Sequence, residues 1–167
     1  DVASRLIKKP RKLNGWELKP FAAYHSRFEE VLFMDADCIP YRDPTYIFDD
    51  SAYLELGAMF WPDLQGSSYG VRQDVWKRIG RLEQAFPGFE SGQYLINKSR
   101  CWKELALTIW FNDYSDYWYK FVYGDKDTFC LAWHAIDTDY AFAPTCNWVY
   151  PCILQYDNQG NLLFTHA

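Results

Sequence analysis

No stretch of this 167-residue chain approaches 18 consecutive apolar residues, so the segment contains no membrane span. Basic residues are in the minority, 17 Lys and Arg against 22 Asp and Glu for a net charge of -5. That balance argues against nucleic acid as a partner, since surfaces that track phosphates are basic. The cysteines Cys38, Cys101, Cys130, Cys146 and Cys152 are odd in number and show no C-x-x-C spacing, so they indicate neither a zinc site nor a disulfide framework. Buried free thiols suit them better than a bridge between Cys146 and Cys152. What the chain has in quantity is aromatic: 8 Trp, 13 Tyr and 12 Phe exclude disorder, and the length suits one domain with a real core.

The first residue is Asp rather than Met, and the expectation is a piece of a longer chain. Residues 1–14 read as a basic arm carrying Arg5, Lys8, Lys9, Arg11 and Lys12, either solvated or closing over a diphosphate. Everything from residue 15 to 167 reads as one domain.

The rest is organised around Val31-Leu32-Phe33-Met34-Asp35-Ala36-Asp37. Four uninterrupted apolar residues suit a strand covered on both faces, as in an α/β sheet. Pro40 stops the strand soon after, because it has no N–H for a ladder. Ligands of such sheets collect beyond the carboxyl ends of the strands, where Asp35 and Asp37 stand. Two carboxylates this close repel unless a cation lies between them, and Mg²⁺ or Mn²⁺ shared with substrate phosphates is the usual solution. The structural alternative is a turn in which Asp caps nearby N–H groups.

Periodicity places the other elements. Leu18, Phe21, Ala22 and His25 fall at helical spacing, with Pro20 in the first turn and Lys19 near the start. Asp43-Pro44 opens a short turn or helix that Asp49-Asp50-Ser51 ends, and residues 57–60 form a second buried strand leading to Trp61-Pro62-Asp63. Residues 65–70 are loop by composition, and Val71, Val75, Ile79 and Leu82 mark a helix over 71–82. Residues 87–93 form a loop that delivers a strand at 94–96. Ser99 caps a helix with an apolar stripe at Trp102, Leu105, Ala106, Ile109 and Trp110. The aromatics between 114 and 123 are packing residues or a platform for sugar rings. Asp125 reads as an N-cap and Asp127 as a first-turn acid of a helix whose Phe129, Ala132, Trp133 and Ile136 share a face. Residues 153–156 and 162–164 form a hairpin around a turn at 157–160, and His166 follows it.

Seven motifs in order carry a resemblance: Lys19-Pro20-Phe21-Ala22, the stretch from Glu30 to Asp37, Asp43-Pro44, Gly57-Ala58-Met59-Phe60-Trp61-Pro62-Asp63, Glu90-Ser91-Gly92-Gln93, Gly124-Asp125-Lys126-Asp127-Thr128-Phe129 and Phe164-Thr165-His166. Together they resemble the metal-dependent GT-A glycosyltransferases. The chain is most similar to the fungal-type α-mannosyltransferases of glycosyltransferase family 71 and to their relatives in family 8. The resemblance implies an α/β, Rossmann-like GT-A fold without its N-terminal nucleotide-binding strand and helix. It implies Asp35, Asp37 and His166 as ligands of Mn²⁺ (or Mg²⁺), with imidazole favouring Mn²⁺. Lys19 takes the place of a basic residue that reaches the donor, and Asp63 that of a carboxylate facing the sugar. Glu90, Ser91, Gly92 and Gln93 stand at the sugar, Gly92 letting backbone approach without a Cβ in the way. Glu90 departs from the Asn usual in family 8 and fits family 71, which points to mannose. Asp125 and Asp127 match acids near the anomeric centre, while Lys126 replaces a Gln and is a partner for phosphate or a neighbouring carboxylate. Family 8 continues beyond the His to a Gly and a Lys that hold the diphosphate, and this chain ends before them.

The expected activity is metal-dependent, retaining transfer of a hexose, mannose first, from a nucleotide diphosphate sugar (GDP-mannose or UDP-hexose) to a glycan or other hydroxyl acceptor. Two rivals stand beside it. One is a non-catalytic sugar-binding scaffold. The other is a haloacid-dehalogenase-type phosphatase, which also opens on a strand ending in D-x-D but needs a late acidic pair that this chain does not offer.

Overall fold

A nine-residue strand, Phe89–Asn97, is the spine of the domain, with its first eight residues all buried. The computed structural model describes residues 15–64, 71–82 and 87–167. In chain order the elements are α1 (Leu18–His25), β1 (Glu30–Met34), β2 (Cys38–Pro40), a 3-10 turn at Thr45–Asp49, α2 (Ser51–Leu56), β3 (Ala58–Pro62) and α3 (Asp74–Arg78). They continue with β4 (Phe89–Asn97), α4 (Trp102–Asp113), α5 (Ser115–Trp118), α6 (Asp125–Ala135), β5 (Ala141–Phe142), β6 (Cys146–Val149), β7 (Cys152–Tyr156) and β8 (Leu162–His166). The expected basic arm at 1–14 and the expected loop at 65–70 lie outside the described residues.

The strands form two sheets of mixed α/β architecture, ordered β1-β4-β3-β5 and β2-β8-β7-β6. In the first sheet β4 runs antiparallel to both β1 and β3, and only β3 and β5 are parallel. The second sheet is antiparallel throughout. The apolar run in β1 has its reason in this arrangement. Val31 and Phe33 join the core under α4 and α6, while Leu32 and Met34 join the core under the second sheet and α2. Each face of the first sheet is therefore packed and alternation is not needed, although β1, at the sheet edge, is half-buried where full burial was expected. Phe60 meets Trp133 edge to face at 5.0 Å and Tyr94 meets Phe129 at 4.6 Å, which locks α6 onto β3 and β4. Each such side chain contributes about 1.5–3 kcal/mol on burial. The second sheet hangs from the end of β3: Trp61 Nε1 donates to the Tyr156 carbonyl and Gln155 Nε2 to the Pro62 carbonyl, both at 2.9 Å.

Several expectations need correction. Residues 89–93 belong to β4 and are not a loop, because Gln93 pairs with Met34 and Glu90 with Trp61. Residues 38–40 are not the tail of β1 but a separate strand paired with β8. Asp50 starts a helix where an end was expected; its carboxylate accepts from the N–H groups of Ala52 and Tyr53. Within 71–82 only Asp74–Arg78 is helical. In α1 the buried residues are Pro20 and Ala23, while Leu18 and Phe21 are exposed. Ser99 does not cap α4, whose buried face carries Glu104, Leu105, Thr108, Phe111 and Asn112 and leaves Trp102 and Trp110 half exposed. That rotation is possible because the buried polar groups are bonded: Asn112 donates to Thr128 and to the Thr108 carbonyl, and Thr138 donates to Glu104. Gly124, not Asp125, holds the N-cap position of α6. All five cysteines are free. Cys146 pairs with Gln155 and Val149 with Cys152, so the two thiols of the β6–β7 hairpin fall on opposite faces.

Candidate functional site

The D-x-D is the hinge between the two sheets. The Asp35 N–H donates to the Gly92 carbonyl at 2.8 Å and the Cys38 N–H to the Asp35 carbonyl at 3.0 Å, so the chain turns tightly from β1 into β2. Pairing of β2 with β8 sets Cys38 opposite His166. The last strand of the chain thereby returns an imidazole to the carboxylates of the first. His166 Nε2 lies 3.3 Å from Asp37 Oδ1 and 3.9 Å from Asp35 Oδ2, and one ligand atom from each of the three residues falls within 4.8 Å of the others.

These distances bear on whether a divalent ion fits. With metal–oxygen bonds of about 2.1 Å, adjacent donors of an octahedral shell stand about 3 Å apart and opposite donors about 4 Å apart. The two distances from His166 Nε2 fall in that range, and the ion would take the place of Lys19 on Asp35 Oδ2. His166 is held from behind: its Nδ1 lies 3.5 Å from Glu90 Oε1, which favours the proton on Nδ1 and leaves the Nε2 lone pair toward the aspartates. Gly92 makes room for the ring. A Cβ there would lie 2.5 Å from both His166 Cε1 and Nδ1. The neighbour that requires this glycine is thus a side chain of the protein, where the sequence suggested a ligand.

Around the triad lies a cavity of about 230 Å³ whose lining includes Lys19, Glu90, Ser91, Asp125 and Lys126. α1 delivers Lys19, whose Nζ sits 2.5 Å from Asp35 Oδ2, donates to Ser91 Oγ at 3.2 Å, and stands 3.9 Å from Asp125 Oδ2. The start of α6 delivers the next three residues. Lys126 is bonded to Asp63 Oδ2, and Asp127 accepts from the Tyr123 N–H at 2.7 Å. Burial is the main cause that raises the Asp125 carboxyl to about 6, with Lys19 and Ser91 opposing it. Burial likewise raises Asp127 to about 6, against the Tyr123 N–H and Lys126. Burial alone would lower Lys126, but the Asp63 bond and the charges of Asp63, Asp127 and Glu90 outweigh it and hold the ammonium above its ordinary value.

The residues singled out from the sequence therefore converge, with differences of depth. Asp63 stands behind Lys126, and Asp127 is buried beneath Tyr123. Gln93 is fully buried, its amide oxygen accepting from Cys38 Sγ at 3.4 Å, and its Nε2 has no partner among the described residues. Asp125 Oδ2 is buried without a hydrogen bond as well, as is His166 Nδ1, which faces Glu90 at 3.5 Å. Trp16, half exposed beside Gly124, also lines the cavity. Nothing in its local sequence marks it.

Residues 3–76 and 81–149 match the family model described as "Mannosyltransferase putative". The alpha-1,2-mannosyltransferase MNN24 of Candida albicans is 29% identical over 169 residues, covering 77% of this chain and 24% of that protein. MNN2 of the same species is 26% identical, with 78% and 29% covered, and MNN5 of Saccharomyces cerevisiae is 26% identical, with 77% and 31% covered. The chain spans about a quarter to a third of the length of these relatives. With the match running through the D-x-D, the Glu90 strand and the α6 acids, the chain belongs to the mannosyltransferase family of the fungal α-mannosyltransferases.

Proposed function

We propose that this chain carries the catalytic centre of a retaining, metal-dependent GT-A glycosyltransferase that moves mannose from a nucleotide diphosphate sugar, GDP-mannose first, to a hydroxyl of a glycan. The observation that carries the reading is the convergence of Asp35 and Asp37, in the turn from β1 to β2, with His166 of β8 at the junction of two sheets. The α-1,2-mannosyltransferase names of the relatives support the sugar. A mixed sheet whose D-x-D strand meets a small antiparallel sheet bearing the histidine supports the fold.

Asp35, Asp37 and His166 would hold Mn²⁺ or Mg²⁺, which when bound supplies Lewis-acid neutralisation of the leaving diphosphate. The protein's own groups do the rest. Lys19 brings a positive charge to the diphosphate side of the cavity, from a position already fixed by Asp35 and Ser91. Lys126 keeps Asp63 in place at the sugar side. Glu90 sets the tautomer of His166. The carboxylates of Asp63, Asp125 and Asp127 provide negative charge toward the oxocarbenium-like centre that forms as the C1–O bond to the diphosphate breaks and the bond to the acceptor oxygen forms.

The test is addition of Mn²⁺ with a panel of GDP- and UDP-sugars, followed by thermal unfolding and by sugar transfer to mannosides. Stabilisation by Mn²⁺ plus GDP-mannose together, with transfer, is the expected result. Stabilisation by free sugars alone would indicate a scaffold, and turnover of a generic phosphate ester would indicate a phosphatase; either outcome overturns the proposal.

A further inference from the structure

The centre described above leaves β6 without a role, although β6 bears the exposed side chains Trp148 and Val149, with Tyr150 just beyond its end. The register of the second sheet locates them. Trp148 pairs with Ile153, Ile153 with His166, and His166 with Cys38. Directly paired residues project to the same face of a sheet, so these four side chains form one row. The row faces the site, because Cys38 bonds to Gln93 and His166 meets Asp35 and Asp37. Two strand spacings separate Trp148 from His166, about 10 Å between their backbones. Cys146, two residues from Trp148 on the same strand and face, lies in the field of Asp63 and Glu90, the carboxylates assigned to the sugar.

The indole is 53% exposed, with the Tyr150 ring 6.3 Å away and nearly perpendicular, on the face of the second sheet that carries His166. A ligand that spans from this ring to the acidic cavity has to be uncharged, since carboxylates line that cavity, and has to present both an apolar face and polar edges, since one side of the ring meets water. A pyranose meets these requirements, with its C–H face on the indole and its hydroxyls directed to the cavity and to solvent. Resting on the mannosyltransferase reading, we infer that Trp148 is the platform for a mannose ring of the acceptor glycan and so sets acceptor specificity.

The test is an NMR titration of the full chain, in Mg²⁺, with α-1,2-mannobiose, the Trp148 indole N–H being assigned by its loss in Trp148→Phe. The disaccharide should move that resonance saturably. Trp148→Ala should weaken binding by about tenfold, the scale of one ring stacked on an aromatic, and Trp148→Tyr should keep most of it. In steady-state transfer, Trp148→Ala should raise the acceptor KM by a similar factor with little change in kcat. An indole resonance that mannobiose leaves unmoved, or that GDP moves in its place, overturns the platform, as does an alanine variant that binds like the wild type. If the disaccharide shifts Trp148 but no transfer occurs with any donor, the platform stands and the catalytic proposal falls.

Discussion

Gly92→Ala separates the proposed metal site from the fold. A Cβ at this position would lie 2.5 Å from Cε1 and Nδ1 of His166 and 3.0 Å from Cγ. Carbon contacts settle at about 3.5–4.0 Å, so the imidazole has to retreat by about 1 Å. The backbone cannot yield instead, because the Gly92 carbonyl accepts from Asp35 and its N–H donates to Glu90, each at 2.8 Å. Metal ligands tolerate displacements of about 0.2 Å, so Nε2 leaves the coordination shell. A drop of about 10–100-fold in Mn²⁺ affinity follows, the scale found when the groups that orient a ligand are removed. The φ of Gly92 is outside the left-handed region, so alanine is conformationally allowed and gains about 0.4–1 kcal/mol by restricting the unfolded chain. The metal-free protein should then melt within about 2–4 °C of the wild type. Titration with Mn²⁺ followed by electron paramagnetic resonance, beside thermal unfolding in chelator, reads both quantities. If the substitution acts through the ring, Gly92→Ala/His166→Ala should bind Mn²⁺ no more weakly than His166→Ala alone. Wild-type affinity in Gly92→Ala, or a double variant as weak as the sum of the two effects, would refute the argument.

Other outcomes follow from the same geometry. Asp127 is 2% exposed with its carboxyl raised to about 6 from an ordinary 3.8, so the share of stability it contributes is complete below about pH 4 and is lost as the pH rises through 6, a span of about 3 kcal/mol. Asp127→Asn, neutral throughout and still able to accept from Tyr123, should flatten that slope in urea unfolding between pH 4 and 7; a slope like the wild type's contradicts the assignment. Lys126→Ala leaves the mostly buried Asp63 carboxylate without its cation and should cost about 1–3 kcal/mol in chemical unfolding, whereas unchanged stability would mean that the pair holds nothing. Chelation should abolish transfer and the stabilisation given by GDP-mannose, with Mn²⁺ restoring both; transfer in excess chelator would remove the metal from the reaction.

Much of the site was legible because its residues are of unusual type for their places. Carboxylates ending an apolar strand stand out without knowledge of the pairing, whereas His166 is singled out only by its order among the motifs of the resemblance. What the sequence could not reveal is which strands meet. The run Glu90-Ser91-Gly92-Gln93 is polar and contains glycine, so it reads as a turn, yet it lies inside the central strand. Its polar atoms are acceptable there because Glu90 bonds to the Gly92 N–H and faces His166, and Ser91 accepts from Lys19. The stripe of α4 misled for a related reason. Tryptophans at helical spacing look like core, but Thr108 and Asn112 are buried in their stead because they find partners on α6 and within the helix. Satisfaction of polar groups by distant residues overrides local hydrophobicity, and a single sequence does not display it.

On the proposed function, the charge balance of the cavity couples the entry of donor and ion. Asp35, Asp37, Glu90 and Asp125 line it, with Asp63 and Asp127 behind, and the nearby ammonium groups of Lys19 and Lys126 are already engaged by Asp35 and Asp63. A diphosphate entering alone would meet uncompensated carboxylates in a partly dehydrated space, where like charges repel far more than in water. A divalent ion entering alone would compete with Lys19 for Asp35. Arriving together they remove both obstacles, since the ion replaces the lysine on Asp35 and the diphosphate receives the lysine so released. Each should therefore tighten the binding of the other by the same factor, as reciprocity requires. Calorimetric titration of GDP with and without Mn²⁺, and of Mn²⁺ with and without GDP, would reveal that equality. Lys19→Met should weaken GDP binding while raising the affinity for Mn²⁺ alone, and a fall in both would mean that Lys19 supports Asp35 and does not compete with the ion.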